Sequence, residues 1–141
     1  MSVNILKLDE FVDELGSFTM LEPNISFPFD IKRVQYLRGV KSHGFVAHKK
    51  CRQVFIAVSG SCKIYTDSGT KVESFYLNEP NIGLDIDKLY WIEISEISSD
   101  CVLLILSSEL YDETDCLRDY YTFVDYAYRD SGDSWRDEWG Y

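Results

Sequence analysis

The chain has 141 residues, a formal net charge of −10 and 45% apolar content. That length supports one domain with a real core, the apolar and aromatic share excludes a disordered chain, and the negative charge disfavours nucleic acid as a partner. The longest apolar run, CVLLIL at 101–106, is strand-sized, so no membrane-spanning helix is expected.

The N-terminal MSVNILKLDEF lacks a basic start followed by an apolar block, so no secretory leader is read and a cytoplasmic location is expected. FDIKRVQYL, at 29–37, alternates as a strand does and puts Ile31, Arg33, Gln35 and Leu37 on one face. Between Ile31 and Arg52 there is no Asp or Glu. That window holds Lys32, Arg33, Arg38, Lys41, Lys49, Lys50 and Arg52, half of the 14 basic residues. Two readings fit it, a local anion site and a solvated basic face. QVFIAVSG, at 53–60, reads as a buried strand ending in a turn. SCKIYTDSGTKVESFYL, at 61–77, reads as a hairpin turning at Asp67-Ser68-Gly69. IGLDI, LYWIEI and CVLLILSS follow at short intervals, and many short strands separated by turns indicate a sandwich or small barrel.

After residue 110 the period changes. Leu117, Tyr120, Tyr121, Val124 and Tyr128 recur at three and four, which predicts an amphipathic helix, with Asp112 as its N-cap. The domain is expected over 1–128, and RDSGDSWRDEWGY, at 129–141, reads as a polar tail. Cys51, Cys62, Cys101 and Cys116 form no C-x-x-C pair, and reduced thiols are expected.

From Val46 on, the stretch GFVAHKKCRQVFIAVSG, at 44–60, has the spacing of the first cupin motif, which runs Gly, five residues, His-x-His, three or four residues, Glu, six residues, Gly. His48 stands at the second histidine, Gln53 at the glutamate and Gly60 at the closing glycine, but Val46 stands at the first histidine. PNIG, at 80–83, resembles the second cupin motif, with no histidine after it. One imidazole and one neutral amide do not hold a divalent ion, so no metal is expected.

Adding FPFDIKRVQYL, AHKK, SGSCKI, SSDCVLLILSS and YDETDCLRDY, the chain resembles the sugar-nucleotide 3,4-ketoisomerases from about Leu6 to Tyr126. The resemblance implies an all-β, cupin-type antiparallel β-barrel (a jelly roll) with a C-terminal α-helix. It implies a cytoplasmic homodimer with no metal and no organic cofactor. The reaction implied moves the keto group of a dTDP-4-keto-6-deoxyhexose between C4 and C3 through an enediol, in deoxy- and amino-sugar biosynthesis for polysaccharides. His48 is then the catalytic base, against the reading of a satisfied core histidine. Arg33 is then a contact to the diphosphate or sugar, against a surface salt bridge. Gln35, Lys49, Gln53 and Trp91 are further substrate contacts, although Lys49 also reads as solvated and Trp91 as core.

The departures concern the same region. The family commonly carries His-Ala-His-Lys where this chain has Val46-Ala47-His48-Lys49. It has a tyrosine pair where the first residue is Gln35, Asp-x-Arg-Gly where Leu15 replaces the arginine, and Trp-His-Glu where Ile92 replaces the histidine. Three readings follow: an isomerase using His48 with fewer helpers, a catalytically impaired cupin that binds a dTDP-sugar as a regulatory or partner subunit, and a related enzyme acting on a different sugar.

Overall fold

The computed structural model describes residues 2–23, 25, 27–41 and 43–131. The strands are β1 (Val3–Lys7), β2 (Asp9–Asp13), β3 (Gly16–Met20), β4 (Arg33–Arg38), β5 (His43–His48), β6 (Gln53–Ser59), β7 (Cys62–Asp67), β8 (Val72–Leu77), β9 (Ile82–Ile86), β10 (Trp91–Ser95), β11 (Val102–Ser107) and β12 (Cys116–Leu117). One α-helix, α1 (Tyr120–Ser131), follows them. The ladders make a first sheet in the order β1-β9-β6-β11-β4, a second in the order β12-β5-β10-β7-β8, and a separate β2–β3 hairpin. All these pairings are antiparallel. The two large sheets face each other across a shared core. Among the described residues no ladder joins them, so the expected barrel is an open one, of jelly-roll type.

Three apolar clusters explain the strand patterns. Between the sheets lie Phe55, Leu84, Leu103 and Ile105 from the first and Cys62, Ile64, Leu77, Ile92 and Ile94 from the second. The outer face of the first sheet, with Val54, Ile56 and Leu106, is covered by Leu8, Leu21, Phe27 and Phe29 from the N-terminal third. The outer face of the second, with Ala47 and Trp91, is covered by Leu117, Phe123 and Ala127. β6 is therefore buried on both faces, and this is why QVFIA reads as an unbroken apolar run. β4 is an edge strand whose outer residues Val34 and Tyr36 are exposed, and it alternates.

The β7–β8 hairpin turns where its residues predict. The Gly69 N–H donates to Asp67 Oδ1 at 2.7 Å, and Gly69 takes a positive φ of 95°. Gly60 ends β6 at φ 67°, where a Cβ would sit 2.8 Å from the Cys101 Cα and 2.6 Å from Asp100 Oδ1. Glycine is needed there for conformation and space alike.

Two expectations about the helix change. Asp112 does not cap α1. Its Oδ1 accepts from the Thr114 N–H at 3.0 Å and caps a 3₁₀ turn, Glu113–Asp115, because β12 intervenes before the helix begins. Asp119 is the α1 cap, accepting from the Thr122 N–H at 2.9 Å. Because the helix starts late, its buried residues are Phe123 and Ala127, while Tyr121 is 81% exposed and Leu117 packs from β12. The helix runs through Ser131, and 132–141 of the expected tail lie outside the described residues. β1, β2 and β3 add to the strands expected from sequence; β2 is exposed throughout, so no buried face marks it. Among the described residues no helix is long and apolar enough to cross a membrane.

Candidate active site

The space between the sheets opens at one end into a cavity of about 200 Å³. Arg33 and Gln35 of β4, Gln53 and Phe55 of β6 and Ile105 of β11 form the wall on the first sheet. Gly44, Val46 and His48 of β5, Ile92 and Ile94 of β10 and Cys116 of β12 form the wall on the second. Tyr111 and Arg118 stand at the rim. Period-two alternation places Arg33 with Gln35 and Val46 with His48. In β5, Gly44 and Phe45 bulge opposite the single residue Glu93. Gly44 takes φ 82° there, and a Cβ would approach the Ile92 carbonyl oxygen at 3.4 Å.

His48 is fixed by its main chain. Its carbonyl accepts the Leu89 N–H at 2.8 Å, and the residue pairs with Cys116 across β12. The imidazole has no hydrogen-bond partner among the described residues. Burial holds its pKa below the ordinary histidine value. The Asp115 carboxylate opposes that shift, and the Arg33 and Arg118 charges reinforce it. Near neutral pH the ring is therefore an uncharged base facing the cavity.

Asp115 ties the surrounding loop together, and sequence reading did not find it. Its buried carboxylate accepts the Lys50 N–H at 2.8 Å and the Cys51 N–H at 3.2 Å, and its carbonyl accepts the Lys49 N–H at 3.0 Å. The segments AHKK and YDETDCLRDY thus form one structural unit. A lone Asp in a polar run carries no signal that its partners lie some 65 residues away.

Arg33 donates from Nη2 to Ser107 Oγ at 3.3 Å and stands 5.5 Å from the Tyr111 ring centroid. Its Nε is buried without a partner, and no carboxylate pairs with it among the described residues, so it is not the surface salt bridge weighed as an alternative. A half-satisfied buried guanidinium is a site prepared for an anion or a carbonyl-rich ligand. Gln53 donates from Nε2 to the same Ser107 Oγ at 3.1 Å. At the rim, Arg118 donates to both oxygens of Glu113 at 2.9 and 3.1 Å, and the Tyr111 hydroxyl donates to the same carboxylate. These bonds, Arg118 first, hold the Glu113 pKa down to about 2.

The other basic residues between 31 and 52 disperse. Arg52 makes a two-point ion pair with Asp85, at 2.9 and 2.5 Å. Lys32 lies 3.8 Å from Glu109, and Lys49 sits 5.2 Å from the Tyr126 ring centroid, outside the cavity. Trp91 is also outside. At 6% exposure it packs on the outer face of the second sheet, 5.5 Å from Tyr120 and 6.0 Å from Phe123, centroid to centroid. Its place in β10 is one step from Ile92, and alternation turns it away from the cavity. Of the six residues singled out from the sequence, the fold thus gathers His48, Arg33, Gln35 and Gln53 around one cavity. It places Lys49 and Trp91 elsewhere. Val46 and Ile92, two of the departures, are direct partners in the β5–β10 ladder. Among the described residues no three His, Cys, Asp or Glu side chains are grouped to hold a metal ion.

An open jelly roll whose inner cavity carries an imidazole without a partner among the described residues, and a half-satisfied guanidinium, defines a cupin-type site. Residues 1–128 match the family described as "FdtA: WxcM-like, C-terminal", and the chain belongs to it. It is 38% identical over 129 residues, 89% of this chain and 93% of the other, to the TDP-4-oxo-6-deoxy-alpha-D-glucose-3,4-oxoisomerase of Aneurinibacillus thermoaerophilus. Its structure resembles a mutant of the 3,4-ketoisomerase QdtA from Thermoanaerobacterium thermosaccharolyticum in complex with TDP-4-keto-6-deoxyglucose. The TM-score is 0.87 at 40% identity, covering 90% of this chain and 94% of that one. It also resembles the WlaRB TDP-quinovose 3,4-ketoisomerase of Campylobacter jejuni, with TM-score 0.84 at 40% identity, covering 87% and 97%. The WlaRA TDP-fucose-3,4-ketoisomerase of the same organism matches at TM-score 0.84 and 32% identity, covering 89% and 95%.

Proposed function

We propose that this chain is a TDP-4-keto-6-deoxyhexose 3,4-ketoisomerase, with His48 as its base and Arg33 as its principal ligand contact. The observation that carries the reading is the uncharged, unpartnered imidazole facing a cavity whose opposite wall holds the half-satisfied Arg33 guanidinium. The C3 hydrogen beside a C4 carbonyl is acidic enough for a neutral imidazole to remove, provided the enediolate is stabilised as it forms. Arg33, with Gln53 beside it on Ser107, supplies donors on the facing wall for the ligand's oxygens. Gln35 lines the same wall. The apolar floor of Phe55, Ile92, Ile94 and Ile105 excludes water and suits a sugar that lacks its 6-hydroxyl.

The protein acts in the cytoplasm as a homodimer on this reading. Phe27 and Phe29 of the N-terminal third are used inside the chain, packing on the first sheet. The β2–β3 hairpin instead exposes Phe11, Phe18, Val12 at 73% and Leu15 at 96%, an apolar patch that a second copy would cover. The reading of an impaired, binding-only protein draws on the Val46–Ile92 pair, which makes the wall beside His48 apolar.

The experiment is TDP-4-keto-6-deoxyglucose in heavy water, followed by NMR. Deuterium entry at C3 above the rate without enzyme supports the isomerase. Thermal stabilisation by TDP without exchange supports binding alone.

A further inference from the structure

We infer that proton transfer in this cavity occurs on one face of the sugar, so that the product carries the galacto configuration at C4; the inference rests on the function proposed above. The observation is the division of chemistry between the two walls. On the second sheet stand His48 and, as its direct partner across the β5–β12 ladder, Cys116. The first sheet faces them with Arg33, Gln35, Gln53, Phe55 and Ile105. A guanidinium stays protonated and amides do not titrate, so nothing on that wall can give or take a proton at ordinary pH. The rim groups Tyr111 and Arg118 are both committed to Glu113. On the second wall, the neighbours Val46 and Ile92 are apolar. Among the described residues lining the cavity, the groups free to exchange a proton with carbon therefore lie on one side of a ring held between the sheets.

The step balances without any co-reactant. The imidazole takes the proton from C3. The C–H electron pair becomes the C3=C4 double bond, and the C4 carbonyl becomes an enolate oxygen. The proton of the C3 hydroxyl crosses to the oxygen on C4. The C3 oxygen then re-forms a carbonyl as C4 takes the proton back from the imidazolium. Nothing is oxidised or reduced overall.

The stereochemical consequence is elementary. In a gluco sugar the hydroxyls at C3 and C4 are trans, so their hydrogens lie on opposite ring faces. A proton removed from C3 and returned to C4 on that same face gives C4 the inverted, galacto arrangement. A gluco product would need an acid on the facing wall, where this chain has Gln35 and Gln53. Relatives named for both quinovose and fucose are similar to this chain, so their names leave the outcome open.

The test uses the full chain and TDP-4-keto-6-deoxyglucose deuterated at C3, in ordinary water, with NMR spectra taken through the first turnovers. In product molecules that have taken a solvent proton at C4, the expected spectrum shows the small equatorial–axial coupling between H4 and H5, and deuterium at C4 in the remaining molecules would add direct evidence of return by the same base. A large diaxial H4–H5 coupling in the first product formed overturns the inference while leaving the isomerase reading intact. No product at all refutes the isomerase reading, and the inference falls with it.

Discussion

Removing the Asp115 carboxylate tests whether the loop that carries His48 is held as described. Asp115 is 8% exposed and accepts two main-chain N–H groups, Lys50 at 2.8 Å and Cys51 at 3.2 Å. Hydrogen bonds to a charged acceptor contribute about 1.5–3 kcal/mol each, and the longer bond counts at the low end. Asp115→Ala strips the partner from one buried and one part-buried donor, so the expected loss is about 3–5 kcal/mol. That is a large share of the roughly 5–15 kcal/mol stability of an ordinary domain, and at roughly 4 °C per kcal/mol it lowers Tm by about 12–20 °C. Urea and thermal unfolding read the loss directly. Asp115→Asn separates the charge from the bonding, because its amide oxygen retains one acceptor while the negative charge disappears. The Asp115 charge raises the His48 pKa against the effect of burial. Its removal should therefore move the His48 titration further down, seen by NMR in a chain with two histidines and assigned with His48→Asn. A stability loss below about 1 kcal/mol in Asp115→Ala, or an unmoved His48 titration in Asp115→Asn, would refute the reasoning.

The remaining predictions concern the site and the assembly. His48→Asn should abolish proton exchange at C3 and leave TDP binding nearly unchanged, since a group that acts on the reacting carbons affects turnover more than ground-state binding. In the unaltered protein, kcat/KM should be flat above the ordinary histidine pKa and fall as acid protonates the ring, with its midpoint displaced downward because burial disfavours the charged form. The same depression makes His48 a source of acid sensitivity, with stability lost as pH drops through the folded-state pKa. Arg33→Ala should weaken TDP binding by about 1.5–3 kcal/mol in calorimetry; an unchanged affinity would remove Arg33 from the ligand site. Purified protein should contain no stoichiometric divalent metal and keep its activity in chelator, because His48 has Val46, Ile92 and Gln53 for cavity neighbours; one equivalent of zinc, iron or manganese would contradict this. Light scattering should report a dimer, and charging the hairpin with Phe18→Glu should shift it toward monomer. A monomer in the unaltered protein would remove the role given to that patch.

Local chemistry along the chain determined a good part of this protein. The run at 53–57, the alternation from 31 to 37, the Asp67-Ser68-Gly69 turn and the glycine at 60 each follow from burial periodicity or backbone geometry within a few residues. The same period placed Arg33 and Gln35 on one face, and the motif spacing brought out His48 and Gln53. The tertiary structure alone decided what depends on distant partners. Trp91 and Ile92 are adjacent and both buried, so only the packing of Phe123 and Tyr120 against one sheet face shows that Trp91 points away from the cavity and Ile92 into it. Asp112 and Asp119 are equally good caps by type, and the short strand at 116–117, formed by pairing with Ala47 and His48, decides that the helix starts at the second. Asp115 reads as one more surface acid until the fold brings it beneath the Lys50 and Cys51 amides. Val46 and Ile92 are far apart in the chain, and only the β5–β10 ladder makes them one apolar patch beside His48. Periodicity reports which side of an element is buried, whereas the partner across a ladder is set by pairings between segments that carry no mark of one another.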